Sequence, residues 1–100
     1  MLDFQFNTAG ILPSDPDNGN IDVEIIFNDG TKYVPTFFTL KNISSVMDSY
    51  RDTGECKNGL YFLAADTIIV KQITKEVISE TINDLVKTGE LFTICKKHTL

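Results

Sequence analysis

The stretch from Thr74 to Gly89 constrains the fold more than any other part of the chain. Its residues Val77, Ile78, Thr81, Ile82, Leu85 and Val86 gather on nearly half of a helix circumference, and Glu80, Asn83 and Asp84 cover the other side. Thr74 is placed to cap the amino end, and Ile73 with Ile78 can clasp it as a hydrophobic staple. Glu76 and Lys87 suit the helix field at the two ends, and Gly89 closes the helix. An apolar arc this wide is too broad for a coiled-coil seam and suits a helix lying on a sheet. Leu91 to Cys95 comes next and reads as a short strand.

The sheet should come mostly from the first forty residues. Leu2, Phe4 and Phe6 alternate with Asp3 and Gln5, the period of a strand with one wet face. From Asn7 to Asn20 the chain carries Gly10, Pro13, Pro16 and Gly19, which makes a loop long for so small a unit. Ile21, Val23, Ile25 and Phe27 alternate with Asp22 and Glu24 between them, and Asn28-Asp29-Gly30 then turns the chain into Lys32 to Phe38. Two registers compete at that turn. A two-residue turn pairs Ile25 with Val34, and a three-residue turn pairs it with Tyr33. Pro35 has no N–H to donate, so this strand is expected at an edge or bulged near that point.

A second helix is expected after Thr39, with Leu40, Ile43, Val46, Met47 and Tyr50 as its apolar stripe and Gly54 just past its end. Asn42 and Ser44-Ser45 weaken its local propensity, so it depends on burying that stripe. Asn58-Gly59 marks a turn. Leu60 to Leu63 and Thr67 to Val70 read as two short strands joined by Ala64-Ala65-Asp66; one long buried strand is the alternative, which would bury the Asp66 carboxylate. The expected fold class is therefore α+β. A mostly antiparallel sheet of five or six strands carries two helices on one face, in the order β-β-β-α-β-β-α-β. The 100 residues are expected to form a single domain with a long loop at about 7–20. Tyr33, Phe37, Tyr61 and Ile69 are expected to supply apolar residues to the uncovered sheet face, where homodimerisation through that face or an edge strand becomes an option.

Composition narrows the function classes. The net charge is −5, and residues 1 to 30 hold Asp3, Asp15, Asp17, Asp22, Glu24 and Asp29 with no Lys or Arg. Such a surface repels nucleic-acid backbone and anionic membranes and would suit a basic protein. Two cysteines, Cys56 and Cys95, are too few for a disulfide scaffold. No signal-peptide pattern opens the chain, and the longest apolar run, Leu60 to Ala65, is too short to span a bilayer. A cytoplasmic protein with free thiols is expected.

No motif in the sequence names a chemistry. Oxygen donors gather at Asp15, Asp17, Asn18, Asn20 and Asp22, but a calcium loop counted from Asp15 would put Asn20 where glycine is needed and Ile26 where a bidentate Glu is needed. Cys56, Cys95 and His98 lack zinc-site spacing. Cys56 lies past the negative end of a helix and sits beside Glu55, both unfavourable to a thiolate. Asp66, flanked by apolar residues, is a weak catalytic candidate should it be buried. The helix and strand from Thr74 to Ile94 superficially suggest a winged helix-turn-helix, yet Glu80, Asn83 and Asp84 are poor phosphate contacts. No cofactor or metal is expected.

These features leave two functional readings. The first is a small acidic binding or accessory protein acting through protein–protein contacts, of the inhibitor or immunity type, with Asp22, Glu24, Tyr33, Phe37 and Tyr61 at the interface. Its partner would be another protein or a second copy, not nucleic acid or membrane. The second is a small enzyme or ligand-binding domain whose pocket forms between subunits, drawing on Asp66, Tyr61, Tyr33 and Thr67.

Overall fold

A computed structural model describes residues 3–98. Leu2, expected in the first strand, lies outside them. The chain forms strands β1 (Phe4–Thr8), β2 (Asn20–Phe27), β3 (Lys32–Tyr33) and β4 (Thr36–Phe38), helices α1 (Leu40–Thr53) and α2 (Glu55–Gly59), strand β5 (Thr67–Ile69), helices α3 (Lys75–Thr88) and α4 (Leu91–Ile94), and strand β6 (Lys97–His98). The class is α+β with a six-stranded, mostly antiparallel sheet. Among the described residues, the element order and the four helices correct the expected order and the expected pair of helices.

The hairpin takes the three-residue turn. Ile25 pairs with Tyr33 and Ile26 with Lys32, and Phe27 N–H donates to the Thr31 carbonyl at 2.9 Å. This register puts Tyr33 and Phe37 on the same face as Ile21, Val23, Ile25 and Phe27, and all six are buried. The segment 32–38 lies inside the sheet, not at its edge. β2 flanks it on one side, and β6 and β5 flank it end to end on the other. Pro35 interrupts it at the junction. Its carbonyl accepts the Val23 N–H, but it has none to return, so pairing lapses between β3 and β4.

The core lies between this face and α3. Ile78 and Ile82 have no solvent exposure, and neither has Leu91 of α4. Phe4, Phe6, Val77, Leu85 and Val86 close its margins. Both ends of α3 are as the sequence implies. Thr74 Oγ1 accepts the Val77 N–H, and Gly89 takes a left-handed φ of 82°. Leu91 to Cys95, expected as a strand, is instead mostly helical. Its buried residues, Leu91 and Cys95, are four apart, so helical turning sends both inward, where strand alternation would also send Thr93. Phe92 reaches the rings of Phe27 and Tyr33 at centroid distances of 5.6 and 5.5 Å. Tertiary packing has overridden β propensity here, and the strand needed for a DNA-binding wing is absent from residues 91–95.

Helix α1 departs most from expectation. Thr39 caps it and Gly54 closes it, as read from sequence, but no residue of α1 is fully buried. Ile43, Val46, Met47 and Tyr50 are only half-buried, and the main neighbour of the helix is α2. The helix does not lie on the sheet. It contributes no residue to the core cluster, and the molecule measures 45 by 26 by 24 Å. Leu60 to Leu63, expected as a strand, forms none. Thr67–Ile69 pairs parallel with β4 instead of closing a hairpin. We refer to α1, α2 and residues 60–66 together as the arm.

The loop between β1 and β2 anchors this arm. Asn42 joins Asn20 and Asn18 at 2.7 and 3.4 Å, and Thr39 Oγ1 accepts the Gly19 N–H at 3.2 Å. Lys41 pairs with Asp15 at 3.8 Å. On the other side of the loop, Gln72 donates to Asp17, and Ile73 N–H donates to the Pro16 carbonyl. The oxygen donors noticed in the sequence thus hold chain segments together.

Candidate functional site

Three surfaces offer room for contacts, and their character is set by strand parity. On the uncovered sheet face lie Gln5, Asn7, Asp22, Glu24, Ile26, Lys32, Thr36 and Thr67. This face is polar over most of its width, contrary to the aromatic face expected. Asp22 accepts a 2.6 Å hydrogen bond from Thr36 Oγ1, and Glu24 pairs with Lys32 at 3.1 Å. Both acids named as interface residues are therefore accessible to contacts but already engaged. A shallow depression of about 300 Å³ beside them is lined by Asn7, Thr8, Ala9, Asp22, Glu24 and Val34.

The second surface is the apolar end of the arm. Phe38, at the margin of the polar face, pairs in register with Ile69, and its ring meets Phe62 edge-on at 5.2 Å. Around this pair Leu40 is 70% exposed, Leu60 73%, Tyr61 49%, Leu63 80% and Ile69 53%. Of the residues named from sequence for contact, Tyr61 belongs to this patch. Tyr33 and Phe37 do not, because the hairpin register turns them into the core. Leu60 and Leu63, which the sequence does not single out, are exposed beside Tyr61. An apolar run reads from sequence as a buried strand, and nothing local distinguishes it from an exposed one.

The third surface runs along β1, whose outer edge is unpaired among the described residues. Depressions of about 370 and 390 Å³ separate that edge from α3 and are lined by Asp3, Phe4, Gln5, Phe6, Lys75, Glu76, Ser79, Glu80 and Asn83.

The catalytic candidates do not converge. Asp66 sits half-buried on a turn at φ 47°, where its carbonyl accepts the Thr36 N–H. The three depressions above are lined by other residues. Cys95 is buried, and burial, with a smaller contribution from the Asp66 charge, pushes its thiol up to about 11. It is a protonated packing residue at neutral pH, whereas Cys56 is half-buried and both thiols are free. Among the described residues no three His, Cys, Asp or Glu side chains meet in a group able to hold a metal ion. No described helix is long and apolar enough to cross a membrane. No family model matches the chain, and no curated protein or solved structure shows significant similarity to it.

Proposed function

We propose that this is a binding protein that engages a protein partner through the apolar end of its arm. The observation that carries the reading is the exposure of Leu60, Tyr61 and Leu63 around the Phe38–Phe62 pair. Contiguous apolar side chains left in water mark contact surfaces, and a tyrosine within them is a common anchor. The same arm carries the charged residues Lys41, Asp48, Arg51, Asp52, Glu55 and Lys57.

The net charge of −5 favours a basic partner. An inhibitor or immunity-type protein that covers a basic protein is the finer form of this reading. Asp22 and Glu24, on the sheet face and each already bonded, would steer such a partner more than hold it.

Capture of a partner by immobilised protein, followed by its identification and titration, tests the reading. The pair Leu60→Ser and Leu63→Ser should weaken that complex at least tenfold, since neither side chain supports the fold. Charge reversal at Asp22 and Glu24 should mainly slow association. Failure to isolate a partner, or a complex indifferent to the Leu60 and Leu63 changes, would remove the reading.

A further inference from the structure

The geometry points to a second contact surface, independent of the arm: two copies of this chain join by antiparallel pairing of their β1 strands about a two-fold axis through Phe6. Two of the five residues of β1, Gln5 and Asn7, direct their backbone groups to β2, in line with the bonds that flank the strand. Asn28 N–H donates to the Asp3 carbonyl, and Ala9 N–H donates to the Asp22 carbonyl. Both bonds belong to one register, in which Phe4, Phe6 and Thr8 lie opposite Phe27, Ile25 and Val23. In an antiparallel ladder, alternate residues direct both backbone groups to the same neighbour. Asp3, Gln5, Asn7 and Ala9 therefore spend theirs on β2. Phe4, Phe6 and Thr8 point theirs outward, to the open edge.

That edge lacks two of the usual protections. From Phe4 to Thr8 it carries no charge and no proline. It is also complementary to itself. A two-fold through Phe6 sets Phe6 against Phe6 of the second copy and Phe4 against its Thr8, so every outward N–H and carbonyl of the strand finds a partner. On the polar face the same register places Gln5 beside Asn7 of the second copy, where two amides can bond. On the other face, the depressions between β1 and α3 lie beside Phe4 and Phe6, opposite the second copy's Thr8 and Phe6. Lys75, Glu76 and Glu80 lie along that rim. A foreign peptide strand could meet the free backbone groups equally well; the facing Gln5 and Asn7 amides favour a second copy.

Gln5 and Asn7 are exposed, which makes them safe places to test the pairing. Sedimentation equilibrium over a concentration series should show the wild-type chain approaching twice its 11.2 kDa mass. Lysine at both positions (Gln5→Lys with Asn7→Lys) sets like charges opposite each other twice and should raise the dissociation constant about tenfold or more. Gln5→Lys with Asn7→Glu sets unlike charges opposite each other and should restore the dimer. Circular dichroism should show both variants folded. The inference is overturned by a wild-type monomer at all concentrations, or by a dimer that the double-lysine variant leaves intact. It is equally overturned by a dimer that Leu60→Ser and Leu63→Ser dissociate, which would place the contact at the arm.

Discussion

The sheet with α3 and the arm built on α1 differ in one respect that governs the rest. Helices α1 and α3 are the same length, and each has a threonine cap, a left-handed glycine at its end and an apolar stripe. Yet α3 buries Ile78 and Ile82 completely, and α1 buries nothing completely. Amphipathic pattern and good capping therefore specify a helix without specifying what covers its stripe. The stripe of α3 meets a sheet. That of α1 meets a short irregular segment and, in the proposed function, borders the surface a partner engages.

The largest effects should separate the two regions by stability. Ile82→Ala removes side-chain volume from a site with no exposure, and should cost about 2–5 kcal/mol. Val46→Ala, on the half-buried stripe of α1, should cost under about 1.5 kcal/mol, since less of the side chain leaves a packed environment. Urea unfolding of both variants measures the contrast, and equal losses would mean that the arm is packed as tightly as the core. Native-state hydrogen exchange should likewise find α1 opening at lower free energy than α3.

The next contrast concerns two glycines with nearly the same backbone. Gly59 (φ 86°) and Gly89 (φ 82°) both take left-handed angles. A Cβ on Gly59 would come within 2.4 Å of the Met47 carbonyl oxygen, whereas one on Gly89 would meet nothing within 4 Å. Gly89→Ala should cost about 1 kcal/mol, the ordinary penalty for a side chain at positive φ. Gly59→Ala should cost more, about 2 kcal/mol or above, because the segment closing the arm must also move off α1. The excess should appear as faster exchange of α1 amides, with those of α3 unchanged. Equal costs would show that the arm tolerates displacement of this segment.

Much of this architecture is legible in the chain, and the parts that are not share a cause. Helix ends announce themselves locally: Thr39, Gly54, Thr74 and Gly89 carry their geometry in their own chemistry. The three-residue turn at Asn28-Asp29-Gly30 is one of two registers open from sequence, and the choice decides whether Tyr33 faces in or out. Only the burial of the whole sheet settles that. Leu91 to Cys95 misleads because aromatic and β-branched residues favour strands, although the i, i+4 spacing of Leu91 and Cys95 is there to be read. Leu60 to Leu63 misleads because hydrophobicity states that a side chain avoids water, not that the monomer shelters it. The candidate site is legible only at Tyr61 and in the accessibility of Asp22 and Glu24. Its leucines and the open edge of β1 depend on contacts distant in sequence.

Alkaline pH should sharpen the comparison through the two thiols. The buried Cys95 thiol, pushed up to about 11, favours its protonated form in the folded state. Its contribution to stability is therefore complete below the unfolded-state value near about 8.5 and is lost as pH rises through about 11. Chemical denaturation across that window should show a decline in wild type that is shallower in Cys95→Ala. An unchanged slope would mean that the thiol is not shielded. Alkylation at about pH 8 should proceed faster at the half-buried Cys56 of the arm than at Cys95.

The smallest effect tests whether the arm stores strain that the core does not. Cys56, Lys57 and Asn58 have φ values of 48°, 52° and 58°, a left-handed turn built from residues with side chains and sealed by the Leu60 N–H to the Cys56 carbonyl at 3.0 Å. Each such residue costs about 1–2 kcal/mol relative to the right-handed form. Glycine carries no such penalty, but it gains freedom in the unfolded chain that folding must remove. Lys57 is exposed, so Lys57→Gly removes no core packing. The two terms should leave Lys57→Gly neutral or stabilising by up to about 1 kcal/mol. Lys75→Gly, in the first turn of α3 where φ is ordinary, should be destabilising by about 0.5–1 kcal/mol. Opposite signs for two Lys→Gly substitutions, read by denaturant midpoint, would place backbone strain in the arm. The same sign would mean that the turn relaxes in solution and that α1 meets its covering segment in some other conformation.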